Sequence, residues 1–460
     1  MFYPGLRPLF GEGFAQLDGG KLMGPSTSVA QSAMAKASWR ILPLLGLGYL
    51  FSFLDRLNIS FAATQMSLDL GFSATVYGLG GGFFFLTYAL LEVPSGMIMP
   101  RFGSRRWIAR IMISWGLLSA AMMFIRSPLH FYVLRLLLGA AEAGFWPTAI
   151  YVISAWFPGA HRGRAISRFY CFGGVASILM GVMSGWLLDL DGLGGLRGWQ
   201  WLFLAEGLPA VLVGLAVLQL LPDAPTTARW LSTPERDWLT TELATENARH
   251  GVIADHHFLR ALKNPLVLKL ALIGCLTIGS YVGFLLIAPQ VLRTGTGLDA
   301  THVGYIVSGG GVVSVLGMLV SGWHSDRLGE RFTHLLASNL LVAACFLLMA
   351  TAASPAMILA GYLALNLIWP AVTLSTCLVL TEVVPFRMVA VAMAAVNTLS
   401  QLGAFAVPAL WGMSKDATGS FHLGMMMVPV AFVAAAAIGL LLMAQVRARG
   451  LHTAPVVAPS

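Results

Sequence analysis

Gly96-Met-Ile-Met-Pro-Arg-Phe-Gly-Ser-Arg-Arg106 follows one long apolar run, and Gly322-Trp-His-Ser-Asp-Arg-Leu-Gly-Glu-Arg331 follows another, 226 residues later. Trp146-Pro147 recurs 223 residues on as Trp369-Pro370, and Pro158 with Arg162 recurs as Pro385 with Arg387, the prolines 227 residues apart. Three separate pairs agree on one repeat length. The chain therefore reads as two copies of one half, set in the same orientation.

What surrounds these pairs is apolar. Of 460 residues, 57% are hydrophobic and 10% charged, with a mean hydropathy of +0.77. Soluble domains carry about 25% charged residues, so a soluble enzyme, a nucleic-acid-binding protein and a disordered scaffold are set aside. A bilayer span needs roughly 20 mainly apolar residues. The runs that qualify are 40–64, 74–98, 107–125, 128–156, 165–188, 199–221, 266–290, 301–323, 333–353, 355–381, 388–412 and 421–445. Twelve spans in two repeats give an all-α membrane protein. The expected organisation is a tail (1–35), a first six-helix bundle (36–221), a polar linker (222–265), a second bundle (266–446) and a second tail (447–460). The linker holds Asp223, Glu235, Asp237, Glu242 and Glu246, a composition suited to surface helices. The four cysteines lie in apolar runs without metal or redox spacing and read as buried thiols.

Lysine and arginine set the orientation. With the N-terminus inside, 22 of 28 fall on the cytoplasmic side. The opposite side has four, Arg126, Arg197, Arg293 and Lys415, while Arg56 and Arg135 lie within spans. That bias puts both termini in the cytoplasm, and it explains the net charge of +8 without nucleic acid.

A charge at mid-span costs a few kcal/mol on insertion scales, so it needs a reason. Asp55 and Arg56 lie about 15 residues into span 1. Arg135 and Glu142 in span 4 are seven residues apart, which places them on one helix face about 10 Å apart along the axis. Arg56 and Arg135 offer forked donors suited to a carboxylate and are the candidate anion-binding residues. Asp55 and Glu142 are the candidate proton carriers. The plainer alternative is a static ion pair, for example Asp55 with Arg135. Tyr88 in span 2 and Asn397 and Gln401 in span 11 are candidate hydrogen-bonding groups for substrate, and Tyr281 and Trp369 candidate aromatic walls. Glu92 and Glu206 read as structural acids. The histidines sit at span ends or in loops without catalytic clustering, which speaks against an enzyme.

The glycine-basic loops resemble the signature of the major facilitator superfamily, Gly-x-x-x-Asp-Arg-x-Gly-x-Arg-Arg. Gly322, Asp326, Arg327, Gly329 and Arg331 fit it in the second copy. Gly96, Arg101, Gly103, Arg105 and Arg106 fit it in the first, where Pro100 takes the place of the aspartate. Leu54-Asp-Arg-Leu-Asn58, Arg135-Leu-Leu-Leu-Gly-Ala-Ala-Glu-Ala-Gly-Phe-Trp-Pro147, Trp156-Phe-Pro158, Gly198-Trp-Gln-Trp-Leu-Phe-Leu-Ala-Glu-Gly-Leu-Pro209 and Lys415-Asp-Ala-Thr-Gly419 are similar to the anion:cation symporter family. Arg105-Arg-Trp-Ile-Ala-Arg110 suggests its bacterial phthalate/tartrate-like branch. The resemblance implies the major facilitator fold, with two pseudo-symmetric six-helix bundles. It also implies proton-coupled uptake of an organic carboxylate across a bacterial inner membrane by alternating access. The loop residues then have a gating role, one carboxylate of which Pro100 removes, and span 11 supplies an asparagine contact. Expected partners are a small organic anion, protons and the lipid bilayer. No cofactor is implied beyond the coupling proton, and a monomer is the default because the cavity lies within one chain. A uniporter or exchanger with static ion pairs is the competing reading.

Overall fold

The computed structural model describes residues 25–250, 263–328, 331–384 and 386–448. The first half contains α1 (Pro25–Leu70), α2 (Ala74–Phe102), α3 (Ser104–Ala121), α4 (Pro128–Glu142), α5 (Phe145–Trp156), α6 (Gly159–Leu188) and α7 (Gly198–Leu220). α8 (Thr233–His250) lies in the linker. The second half contains α9 (Pro265–Thr296), α10 (Ala300–Leu328), α11 (Arg331–Ala350), α12 (Pro355–Val383), α13 (Phe386–Thr418) and α14 (His422–Ala448). Among the described residues, twelve segments are long and apolar enough to cross a membrane, with α4 and α5 together making one. They match the expected spans closely, save that the first helix starts at Pro25, far ahead of the span expected from residue 40.

Local chemistry sets the helix ends. Ser73 Oγ accepts from Val76 N–H at the start of α2, Ser127 Oγ from His130 N–H at α4, and Asn264 Oδ1 from Leu266 N–H at α9. Gly103, at φ +81°, turns the chain between α2 and α3.

Span 4, read from the sequence as one run over 128–156, is broken into two helices. Ala143 has ψ 127° and Gly144 has φ +92°, ψ −2°, both outside helical geometry. Two residues cause this. The Pro147 ring would collide with the carbonyl four positions back, that of Ala143, and has no N–H to bond it. Gly144 then supplies the left-handed conformation that other residues resist. A Cβ at 144 would also run into Ser95 Oγ.

The halves meet mainly through small residues, as expected where lipid removes the hydrophobic drive between helices. A Cβ on Gly78 of α2 would strike the Pro408 carbonyl of α13, and one on Gly412 the Ala74 carbonyl. Gly181 of α6 and Gly304 of α10 face each other in the same way. All three contacts lie toward the face opposite the basic loops. Polar latches reinforce them there. Tyr77 Oη donates to the Leu286 carbonyl at 2.7 Å, and Asp416 accepts from the N–H groups of Ala74 and Thr75 at 3.0 and 2.8 Å.

On the basic face the linker is fastened to the first half. Glu235 of α8 accepts from Lys36 Nζ at 2.8 Å and Ser32 Oγ at 2.6 Å. Glu246 pairs with Arg162 at 3.0 Å and caps the start of α6 through Gly159 N–H. Trp230 stacks on Trp156 at 5.5 Å. The thiols correct the sequence reading in part: Cys345 is buried and Cys275 partly so, but Cys171 and Cys377 are exposed. An apolar run does not say which face of its helix is covered.

Candidate functional site

The mid-span charges of the first half converge in two layers. In the layer nearer the basic loops, Glu142 Oε1 accepts from Arg56 Nη2 at 2.7 Å, Arg56 Nε at 2.8 Å and Ser52 Oγ at 2.6 Å. Glu142 is fully buried, and its Oε2 has no hydrogen-bond partner. The Arg56 guanidinium lies 4.7 Å above the ring of Tyr88, which is buried in α2. In the other layer Asp55 accepts from Ser119 Oγ and, at 3.1 Å, from Asn58 Nδ2, leaving Oδ2 unbonded.

Arg135 is fully buried between these layers and α2. Its Nε and Nη2 donate to the carbonyls of Gly80 and Gly81 at 3.2 and 3.3 Å, and its guanidinium lies 4.8 Å from the Phe84 ring. Its Nη1 donates to nothing. Carbonyl dipoles and a ring face cushion this cation without neutralising it, and a buried cation in that state favours an anion beside it. The static pair suggested from sequence, Asp55 with Arg135, is not what forms. The pair is Arg56 with Glu142.

Glu206 of α7 belongs to this cluster, although its sequence position suggested a structural acid. It is buried near Asp55, with the Asn58 side chain beside its carboxyl group. The available signal was its distance along span 6, which puts it at the depth of Asp55.

The remaining candidates divide. Asn397 Nδ2 donates to both oxygens of Glu92, at 2.8 and 3.1 Å, so it ties α13 to α2 across the halves. Gln401, one turn further along α13, is buried. Tyr281 and Trp369 stack at 3.8 Å with an 11° interplanar angle, and Tyr281 Oη lies 3.5 Å from Asn366 Oδ1. They form one aromatic wall in the second half. The polar groups around it bond their own helices: Asn366 Nδ2 donates to the Tyr362 carbonyl and Asn339 Nδ2 to the Leu335 carbonyl.

The first loop keeps its ion pair despite Pro100. Arg105 Nε lies 3.3 Å from Asp223 Oδ2, and Arg105 N–H donates to Oδ1 of the same carboxylate. An acid beyond α7 thus binds the loop that lacks its own, a pairing 118 residues apart in sequence. Arg101 and Arg106 are exposed beside it, and Gly96 has open space around it. In the second loop Arg331 bonds Ser325 Oγ at 2.6 Å and Glu382 at 3.5 Å, Arg327 lies 5.4 Å from the Trp323 ring, and a Cβ on Gly322 would just reach Leu374. The Asp326 side chain and Gly329 lie outside the described residues. Among the described residues no group of histidine, cysteine or acids is arranged to hold a metal.

Twelve spans in two repeated bundles, enclosing buried charge at mid-depth, define a multi-pass membrane transporter rather than an enzyme. The chain belongs to the Major Facilitator Superfamily, whose model matches residues 45–408. A protein of Agrobacterium vitis named "Putative tartrate transporter" is 40% identical over 404 residues, covering 86% of this chain and 88% of that one. The "Quinolone resistance transporter" of Acinetobacter baumannii is 36% identical over 393 residues, covering 84% and 89%. Among solved structures, an inward-facing, unoccupied bacterial homolog of the human lysosomal transporter Spinster superposes with a TM-score of 0.74. It is 19% identical and covers 88% of this chain and 96% of that one, a likeness of fold.

Proposed function

We propose that this chain is a bacterial inner-membrane symporter that takes up a small organic carboxylate together with protons, acting as a monomer without a cofactor. The observation that carries this reading is Arg135, a fully buried guanidinium with an unbonded Nη1 and, among the described residues, no carboxylate at ion-pair distance, though Asp55 and Glu142 are near enough to feel its charge. The relative named for tartrate supports a hydroxylated carboxylate as cargo.

The cycle follows from the Arg56–Glu142 bond. A substrate carboxylate that docks on Arg135 and Arg56 competes with Glu142 for the Arg56 guanidinium. Displaced in a buried place, Glu142 is stable only when it has taken up a proton. Anion and proton thus favour each other's binding, and by linkage the effect is reciprocal. The loaded cavity carries less net charge and closes more readily. On the cytoplasmic side, loss of either ligand re-forms the Arg56–Glu142 bond and releases the other. In this reading Tyr88 and Gln401 take hydroxyls or a second carboxylate, Asn397 does so once released from Glu92, and the Tyr281–Trp369 stack is the opposite wall.

The same ion pair supports a second reading, an anion uniporter or exchanger in which Arg56 and Glu142 stay bonded. Purified protein in liposomes, given a panel of carboxylates that includes tartrate and one fluoroquinolone, separates the two. Symport predicts substrate-dependent proton movement in wild type, lost in Glu142→Gln and Arg135→Ala. Anion flux with no proton movement in wild type would sink the symport and leave the second reading.

A further inference from the structure

A cavity of about 590 Å³ opens on the face opposite the basic loops, between the two halves. Tyr77 and Gly78 of α2 line it from one side, and Pro408, Lys415 and Asp416 of α13 with Arg293 of α9 from the other. It is not the site described above, because the inter-half contacts close its floor: Tyr77 Oη on the Leu286 carbonyl, and Gly78 against Pro408.

Its charge is unusual for its side of the membrane. The outer face has four cations in the whole chain, and two of them, Arg293 and Lys415, line this cavity. The acid among them is occupied, since both oxygens of Asp416 take N–H groups at the start of α2 and meet the positive end of that helix. The Lys415 ammonium lies 4.1 Å from the Phe421 ring. The Arg293 guanidinium has no hydrogen bond or ion pair among the described residues. Thr64, Gln290 and Thr294 add hydroxyl and amide groups to the walls. The cavity lies on the outer side of the central site, across that closed floor. Tyr77 lies on its floor, and Gly80 and Gly81, which hold Arg135, come one turn further along α2, about 5 Å deeper.

We infer that this outer cavity is a capture site, where Arg293 and Lys415 hold the organic carboxylate before the outer gate opens and passes it to Arg135. The inference rests on the carboxylate-symport reading for the nature of the ligand. A confined positive cavity raises both the local anion concentration and the capture rate, with electrostatic gains of about 10-fold or more. Wall hydroxyls would favour a hydroxy acid.

The test places a cysteine in the cavity wall, Ser67→Cys, in the full chain in intact cells. Labelling by a sulfonate-bearing and by a trimethylammonium-bearing methanethiosulfonate is followed by mass spectrometry of the peptide containing position 67, so that the native cysteines do not interfere. The sulfonate reagent should react about tenfold faster relative to the cationic one than it does in Arg293→Gln/Lys415→Gln. Tartrate should slow labelling only where both cations are present. In the serine background, the double substitution should raise the KM for tartrate uptake about tenfold while kcat holds within about twofold. Equal rates for the two reagents, indifferent to the substitution, would overturn the capture site even with normal uptake. Charge-selective labelling in a protein that transports no carboxylate would keep the cavity as an anion site and overturn the transport reading instead.

Discussion

Span 4 and span 10 start from the same Trp-Pro pair and end as different objects. At the 223-residue repeat, Arg135 corresponds to Ile358, Glu142 to Leu365, Gly144 to Leu367 and Pro147 to Pro370. Span 10 has the proline yet runs unbroken as α12 from Pro355 to Val383, whereas span 4 breaks at Ala143–Gly144. Proline alone therefore does not part the helix here; a glycine three residues before it is also needed. The charged groups follow the same division. Among the described residues the first half has unpaired buried atoms on the ionisable groups Asp55, Arg135 and Glu142, while those of the second half are on the neutral groups Asn339, Thr398 and Ser414, and Asn366 and Thr277 bond carbonyls of their own helices. One half gathers buried charge at mid-depth; the other is a wall of neutral polar and aromatic groups.

Exchanging residues between the two spans tests that difference. Arg135→Ile, which installs the span 10 residue, should lower carboxylate uptake by at least about 100-fold, because it removes a charge-assisted bidentate contact and strands the substrate's charge. Uptake within threefold of wild type would break the assignment. Glu142→Gln should abolish proton-driven accumulation while carboxylate exchange across the liposome membrane persists, since the amide keeps the shape but cannot take up a proton. Accumulation against a gradient in that variant would move the coupling to Asp55 or Glu206.

Smaller effects sharpen the comparison. Gly144→Leu, again the span 10 residue, forces a side chain into the left-handed region at a cost of about 1–2 kcal/mol and into Ser95. It should cut transport about tenfold or more and lower thermal stability, whereas Leu367→Gly, which recreates the glycine-proline spacing of span 4, should open a break before Pro370 at a helix-propensity cost of about 1 kcal/mol. Comparing melting curves and uptake of the two variants decides whether the break is specific to the first half.

The smallest effect lies in the linker. Burial pushes the Glu235 carboxyl up, but the bonds from Lys36, Ser32 and Ser232 outweigh it and hold the group at about 2, below its usual value. The ionised form is therefore stabilised by folding, fully so above the ordinary glutamate pKa of about 4.3. That contribution fades as pH falls from there toward 2. Glu235→Gln should cost about 1 kcal/mol at neutral pH, modest because Lys36 is water-facing. In melting experiments the gap to wild type should narrow as the pH is lowered below about 4.3. A gap unchanged down to pH 3 would show that the Glu235 charge does not fasten the linker.

Sequence made some of this legible and hid the rest for physical reasons. Span number and position came from hydropathy and length, properties that read along one dimension. The central residues stood out because charge in a bilayer is costly, so Asp55, Arg56, Arg135 and Glu142 announce themselves. Their partners did not. Arg56 pairs with Glu142 where Asp55 with Arg135 was the pair suggested, and Asn397 bonds Glu92, because helix rotation and tilt decide which groups face each other. Asp223 reaches the first loop from beyond α7, a pairing that no local pattern suggests. The Gly80-Gly81-Gly82 run was a usable sign of close approach, and it is where Arg135 finds its carbonyls.

The break after Glu142 gives span 4 the properties of a jointed lever rather than a rod. The arm α4 holds Arg135 and Glu142 near its tip, and the arm α5 begins beyond the joint with Trp146 bonded to Tyr170 of α6. At the joint the dihedrals have already left the helical well, so turning one arm against the other does not have to disrupt an intact helical ladder. Any bend between the two arms is concentrated at Ala143 and Gly144 rather than spread along an entire helix.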